Sequence, residues 1–219
     1  MTAFVWFDFG GVLSPPLEEL FRTYEKKTGI RPDQLQGAMA ELGRELGEPP
    51  LAPIESGRMP QAEWTALLSA ALRRRWPELD QSRADWGDFG RQWFDGVTVN
   101  AEIAAAVRTL RAEGLGVGVL SNNVREWEPY WRQIIEPAGE FDRVVDSCLH
   151  GVRKPEPEIY RLAQREARAG GESCVLVDDL AENCRAAERE GWTAVHFRTT
   201  DQALRELSAV TGVRLTRLW

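Results

Sequence analysis

A chain of 219 residues has room for one large domain, or for a core carrying a smaller insert. Its 43% hydrophobic and 28% charged residues are the balance expected of an ordinary soluble protein. The formal net charge of −7 gives no electrostatic support to a nucleic-acid or anionic-membrane partner, and no apolar run approaches the roughly 18 residues of a membrane span.

The first predicted element is an apolar strand from Phe4 to Phe7, ending at Asp8. The opening stretch MTAFVWFDFGGVL lacks a charged leader and a small-residue cleavage site, so it reads as a buried strand. Residues 15–98 then show no convincing strand. Their apolar positions recur at helical spacing, as in Leu17, Leu20, Phe21 and Tyr24, or Trp64, Leu67, Leu68 and Leu72. Pro32, Pro49, Pro50, Pro53, Pro60 and Pro77 divide this stretch into about four short helices.

Further on, strands are expected at Leu115–Leu120, Arg143–Asp146, Cys174–Val177 and Thr193–Phe197. The helical stretches AEIAAAVRTLRAEG, PEIYRLAQREARAG and AENCRAAEREG lie between them. Alternation of this kind predicts an α/β fold, a Rossmann-like parallel sheet of about five strands with helices on both faces. Near-continuous apolar strands are what a sheet covered on both sides requires. The expected organisation is a core of residues 1–14 and 99–219, with a small all-helical cap, residues 15–98, inserted after strand 1. An insert at that point sits above the carboxyl ends of the strands, where open α/β sheets bind ligands.

Four motifs fall at predicted strand ends, and a parallel sheet brings those ends to one edge. Asp8-Phe9-Gly10-Gly11-Val12 places a carboxylate at a strand tip beside glycines that permit close approach. Such a carboxylate can attack phosphorus, or it can simply cap a turn. Ser121-Asn122-Asn123 offers a hydroxyl and amides able to hydrogen-bond phosphoryl oxygens, and reads equally as a polar turn. In Arg153-Lys154-Pro155-Glu156-Pro157, Lys154 could supply a positive charge to a phosphate. Asp178-Asp179 sets two carboxylates side by side, which repel unless a cation or proton compensates. Mg²⁺ is the natural cation for such a site, because it takes oxygen ligands.

DFGGV, LSNN, RKPEPEIY and VDDLAEN together resemble the haloacid dehalogenase superfamily over nearly the whole chain. The match is nearest to its phosphatase branch, in particular the subgroup holding the phosphatase domain of soluble epoxide hydrolases and small bacterial sugar-phosphate phosphatases. Glu55-Ser56-Gly57-Arg58 with Glu63-Trp64 also resembles that subgroup's cap. The resemblance implies Asp8 as nucleophile and metal ligand, with the Gly10 carbonyl as another ligand. Asp179 would bind Mg²⁺ directly, and Asp178 directly or through water. Ser121 and Asn122 would hold phosphoryl oxygens, and Lys154 would neutralise charge on nucleophile and phosphate. The implied activity is phosphomonoester hydrolysis of a small phosphorylated metabolite, such as a sugar phosphate.

One departure stands out. Most family phosphatases carry a second Asp two positions after the nucleophile as general acid and base, and here that position is Gly10. Three readings remain open: a substrate with a good leaving group, replacement of the acid by water or a cap residue, or a catalytically impaired protein that binds a phosphorylated ligand. Dehalogenases also lack the second Asp, but the pair Asp178-Asp179 has no purpose in their metal-free chemistry. A mutase must activate two hydroxyls in turn and is disfavoured by Gly10.

Arg22, Tyr24, Arg58 and Trp64 are the cap candidates for leaving-group contacts. Trp127 and Trp131 are expected on one packed helix face, and Arg73-Arg74-Arg75 at a solvated helix end. Cys148, Cys174 and Cys184 have no metal-like spacing and fit small buried thiols in a reduced, cytoplasmic setting. With His150 and His196 the only histidines and far apart, a histidine-based metal site or Ser-His-Asp triad is poorly supported. The sequence leaves the oligomeric state open, with a homodimer as one alternative.

Overall fold

A computed structural model of the chain describes residues 3–216, so the outermost ends of the expected domain boundaries lie outside the described residues. Strands β1 (Phe4–Phe7), β2 (Gly116–Ser121), β3 (Arg143–Asp146), β4 (Cys174–Asp178) and β5 (Thr193–His196) form one sheet. Every pairing is parallel, and the strand order is β3-β2-β1-β4-β5. This is the α/β, Rossmann-like sheet expected from the sequence, with strand boundaries displaced by no more than a residue.

The central strand β1 is buried throughout, and its side chains alternate between the two faces. Val5 and Phe7 join one apolar cluster, Phe4 and Trp6 the other. Helices α6 (Ala101–Ala112) and α11 (Thr200–Thr211) cover the first face through Ile103, Val107, Leu110, Leu204 and Leu207. Helices α9 (Pro157–Ala167) and α10 (Ala181–Arg189) cover the second through Ile159, Tyr160, Ala186 and Ala187. Neighbouring β2 makes room for the β1 aromatics by using glycine. A Cβ on Gly116 or Gly118 would lie 2.3 Å from the Phe4 ring or 2.6 Å from the Trp6 ring.

Between β1 and α6 run α1 (Leu17–Thr28), α2 (Pro32–Leu46), α3 (Ala52–Glu55), α4 (Gln61–Arg75) and α5 (Phe89–Phe94). The prolines act as punctuation: Pro32 opens α2, Pro60 precedes α4 and Pro77 follows it. Phe21, Tyr24, Trp64, Leu68 and Leu72 form the buried interior of this helical layer. Its two ends meet, since Asn100 N–H donates to the Leu13 carbonyl at 2.8 Å. Two further helices complete the chain on the β2–β3 side, α7 (Glu128–Ile135) and the short α8 (Ser147–His150). No helix among the described residues is long and apolar enough to cross a membrane.

Candidate active site

The carboxyl edge of the sheet gathers the strand-end residues. Asp8 follows β1 directly, and its N–H donates to Val177 O at 2.9 Å, tying it to β4. The chain then turns tightly over Phe9–Leu13, with Asp8 Oδ1 accepting from Phe9 N–H at 2.7 Å. Gly10 sits at φ −66° and ψ 123°, ordinary values, and no heavy atom lies within 4 Å of where its Cβ would be. Gly11 differs. Its φ is +71°, and a Cβ there would lie 2.6 Å from Asp179 Oδ2, so glycine lets the turn and that carboxylate approach.

Lys154 reaches the centre from the loop after α8. Its Nζ lies 2.9 Å from Asp8 Oδ1 and 2.6 Å from Asp178 Oδ2, and all three side chains are buried. Asp178 is held further, because its Oδ1 accepts from Leu180 N–H and from Asn183 Nδ2, each at 2.9 Å. Asp8, Asp178 and Asp179 place oxygen atoms within 4.8 Å of one another.

The electrostatics follow from that crowding. Burial, reinforced by Asp178 and Asp179 and only partly offset by Lys154, raises the Asp8 carboxyl to about 7. Burial and the adjacent Asp178 raise Asp179 to about 6. For Lys154 burial acts downward, but attraction to Asp178 and Asp8 outweighs it and holds the ammonium above its ordinary range. Three carboxylates against one ammonium leave an excess of negative charge that an oxygen-seeking divalent cation relieves. The donor set therefore fits Mg²⁺.

Above this floor is a cavity of about 230 Å³. Asp8, Gly10, Ser121, Asn122, Lys154 and Asp179 line it, while Asp178 lies behind them, fully buried. Six of the seven residues singled out from sequence thus share one cavity. Asn122 also lines the cavity, and both ends of its side-chain amide serve the Lys154 backbone. Asn122 Oδ1 accepts from Lys154 N–H at 2.7 Å, and Nδ2 donates to Lys154 O at 2.8 Å. The residue fixes the loop that presents the lysine.

The helical layer lines the cavity with Leu17, Leu20, Leu51, Glu55, Trp93 and Phe94. None of the four cap candidates lines it. Tyr24 and Trp64 are core residues of the layer, Arg22 pairs with Glu18 on the surface, and Arg58 is bound to Glu48. Trp131 packs as expected against Phe9, whereas Trp127 also lines the cavity, its Nε1 donating to Gln61 Oε1 at 2.6 Å. Arg73, Arg74 and Arg75 are exposed at the end of α4, as expected. The three cysteines are buried and free.

Sequence reasoning missed Asn183, Glu55 and Arg153 as site residues. The strings VDDLAEN, ESGR and RKPEPEIY contain them, but nothing in the strings separates them from their neighbours.

The class is that of an open α/β parallel sheet carrying a carboxylate–lysine centre at its carboxyl edge. The family model for haloacid dehalogenase-like hydrolases matches residues 4–191, and the chain belongs to that family. It is 26% identical over 217 residues to bifunctional epoxide hydrolase 2 of Rattus norvegicus, covering 95% of this chain and 38% of that protein. The chain therefore spans well under half of that relative. A sesquiterpene phosphatase of Aspergillus oryzae is 28% identical over 116 residues, covering 52% of this chain and 58% of its own length. The fold is also that of a haloacid dehalogenase family enzyme from Bacteroides thetaiotaomicron solved with magnesium and inorganic phosphate. That match has a TM-score of 0.64 at 19% identity, covering 90% of this chain and 95% of the other.

Proposed function

We propose that this chain is a magnesium-dependent phosphohydrolase that cleaves a small phosphomonoester through an aspartyl-phosphate on Asp8. The observation that carries the reading is Lys154 Nζ bridging Asp8 and Asp178, beside Asp179, on the floor of a cavity between the sheet edge and the helical layer. Mg²⁺ would be held by Asp8, the Gly10 carbonyl and Asp179, with Asp178 direct or through water, and would neutralise phosphoryl oxygens.

The remaining work falls to the chain's own groups. An Asp8 carboxylate oxygen attacks phosphorus and splits hydrolysis into two easier steps. Lys154 holds Asp8 in place and compensates charge on the nucleophile and the phosphoryl group. The Ser121 hydroxyl and the Asn122 main-chain N–H bind phosphoryl oxygens. Residues 15–98 act as a cap on a core of residues 1–14 and 99–219, and shield the site from bulk solvent.

The leaving group faces an apolar wall. Phe9, Leu17, Leu20, Leu51, Trp93 and Phe94 contribute to it, and Leu17 and Leu180 are also exposed to solvent. Such a lining favours a leaving group with an apolar body over the sugar expected from sequence. The sesquiterpene phosphatase of A. oryzae is named for a substrate of that kind. Three buried, unpaired thiols suit the reducing, cytoplasmic setting expected for the chain.

The test is steady-state hydrolysis of aryl, terpenyl, alkyl and sugar phosphates with and without Mg²⁺, beside Asp8→Asn. The expected result is turnover confined to wild type with metal, fastest for esters with apolar leaving groups. Retained activity in Asp8→Asn would overturn the mechanism. Binding of phosphate and Mg²⁺ without turnover of any ester would favour the alternative, a catalytically impaired phosphate-ligand-binding protein, which the missing Asp at position 10 motivates.

A further inference from the structure

The geometry points to Glu55, on α3 above the cavity, as the general acid and base that Gly10 lacks. This assignment rests on the phosphohydrolase reading and names the proton carrier it needs. In-line displacement puts the leaving oxygen opposite the attacking one. Asp8 attacks from the sheet edge, so the leaving oxygen faces the helical layer.

Among the described cavity-lining residues of that layer, Leu17, Leu20, Leu51, Trp93 and Phe94 cannot exchange a proton, and Glu55 can. The other ionisable groups lining the cavity are already committed. Asp8 is the nucleophile, Lys154 is locked between two carboxylates, Asp179 is a metal ligand, and Arg153 is paired with Glu55 itself.

Glu55 is also built in. Its carboxylate oxygen Oε2 accepts from Arg153 Nε at 2.9 Å and Nη2 at 2.7 Å, and its backbone carbonyl accepts from the Ser147 hydroxyl. Gly57 follows at φ +66°, where a Cβ would lie 2.5 Å from Cys148 O, so α3 docks closely on the core. The charged groups acting on the carboxyl are Arg153 and Lys154. Burial raises Glu55 above its ordinary range against the downward pull of both.

As Asp8 forms its bond to phosphorus and the ester P–O bond breaks, Glu55 gives its proton to the departing alkoxide, releasing the alcohol. Water then attacks the aspartyl-phosphate, its proton passes to the Glu55 carboxylate, and phosphate, Asp8 and protonated Glu55 are regenerated.

The experiment compares the Mg²⁺-dependent kcat/KM of wild type and Glu55→Gln across esters graded by leaving-group pKa. With 4-nitrophenyl phosphate, which needs little protonation, Glu55→Gln should stay within about 5-fold of wild type. Alkyl phosphates should fall by about 10²-fold or more. Gly10→Asp in the Glu55→Gln background should recover at least about tenfold of the alkyl rate, because the space beside Gly10 is open.

Equal losses on aryl and alkyl esters would mean that Glu55 only docks the cap, and would overturn the assignment, as would no loss. If Glu55→Gln does not fold, Glu55→Asp must show the same selective alkyl loss, since it keeps a carboxyl group at the end of α3 but withdraws it by one methylene from the leaving oxygen. A wild type without Mg²⁺-dependent turnover would instead sink the phosphohydrolase reading itself, so the two failures are distinguishable.

Discussion

At the scale of single residues, Gly11 holds φ +71° with Asp179 Oδ2 2.6 Å from its missing Cβ, while Gly10 has ordinary angles and open space. Gly11→Ala combines a left-handed backbone with a clash against a proposed metal ligand. It should cost about 1–3 kcal/mol of stability and weaken Mg²⁺ binding. Gly10→Ala should change the melting temperature little. Thermal melts of both variants with titrated Mg²⁺ check this, and equal effects would contradict it.

The same centre sets a pH dependence. Asp8 and Asp179 have folded pKa values of about 7 and about 6, above the 3.8 of a free side chain. The folded chain therefore takes up these protons more readily than the unfolded chain. Without metal, their contribution to stability is fully present below about pH 4 and is lost as the pH rises through 6 to 7. Mg²⁺ needs the ionised carboxylates, so its stabilising effect should grow across that same window. The measurement is the shift in melting temperature on adding Mg²⁺, small at about pH 5.5 and larger at about pH 7.5. A shift that shrinks with rising pH would contradict the assignment.

Between elements, one side chain ties three of them together. Gln61, at the start of α4, accepts at Oε1 from Trp127 Nε1 at 2.6 Å and from the α5 residue Gly90 N–H at 3.1 Å. Its Nε2 donates to Gly87 O at 3.2 Å. Gln61→Leu leaves two buried donors without that acceptor, a cost of about 1–3 kcal/mol each. The melting temperature should fall by about 4 °C or more, and KM should rise because Trp127 lines the cavity. An unchanged melting temperature would show that these bonds are not what fixes α4 and α5 over the site. Gly90 adds a steric reason for the same contact, since a Cβ there would lie 2.2 Å from the Trp127 ring.

For the whole molecule, the parallel sheet was legible because a strand covered on both faces is an apolar run, and each run ends in a polar residue. Placing β1 centrally brings Asp8 beside Asp178 and lets the loop bearing Lys154 reach both. The strand-end motifs therefore converge as their order along the chain implies. The cap side of the cavity was not legible. Tyr24 and Leu20 share one helical stripe, yet Tyr24 faces the helical core while Leu20 lines the cavity, and spacing cannot separate the two. The Asn122 amide was equally hidden, because its partner is the backbone of a residue 32 positions away. The pairing of Glu55 with Arg153 spans 98 positions, and no local pattern announces it.

The central claim is that Asp8 carries the phosphoryl group. Quenching the enzyme during turnover of a phosphate ester with Mg²⁺, then reducing it with borohydride, converts an aspartyl-phosphate to homoserine that peptide mass spectrometry locates. The account predicts homoserine at position 8, dependent on substrate. Sustained turnover with Asp8 unmodified, or with the label on another residue, would contradict it.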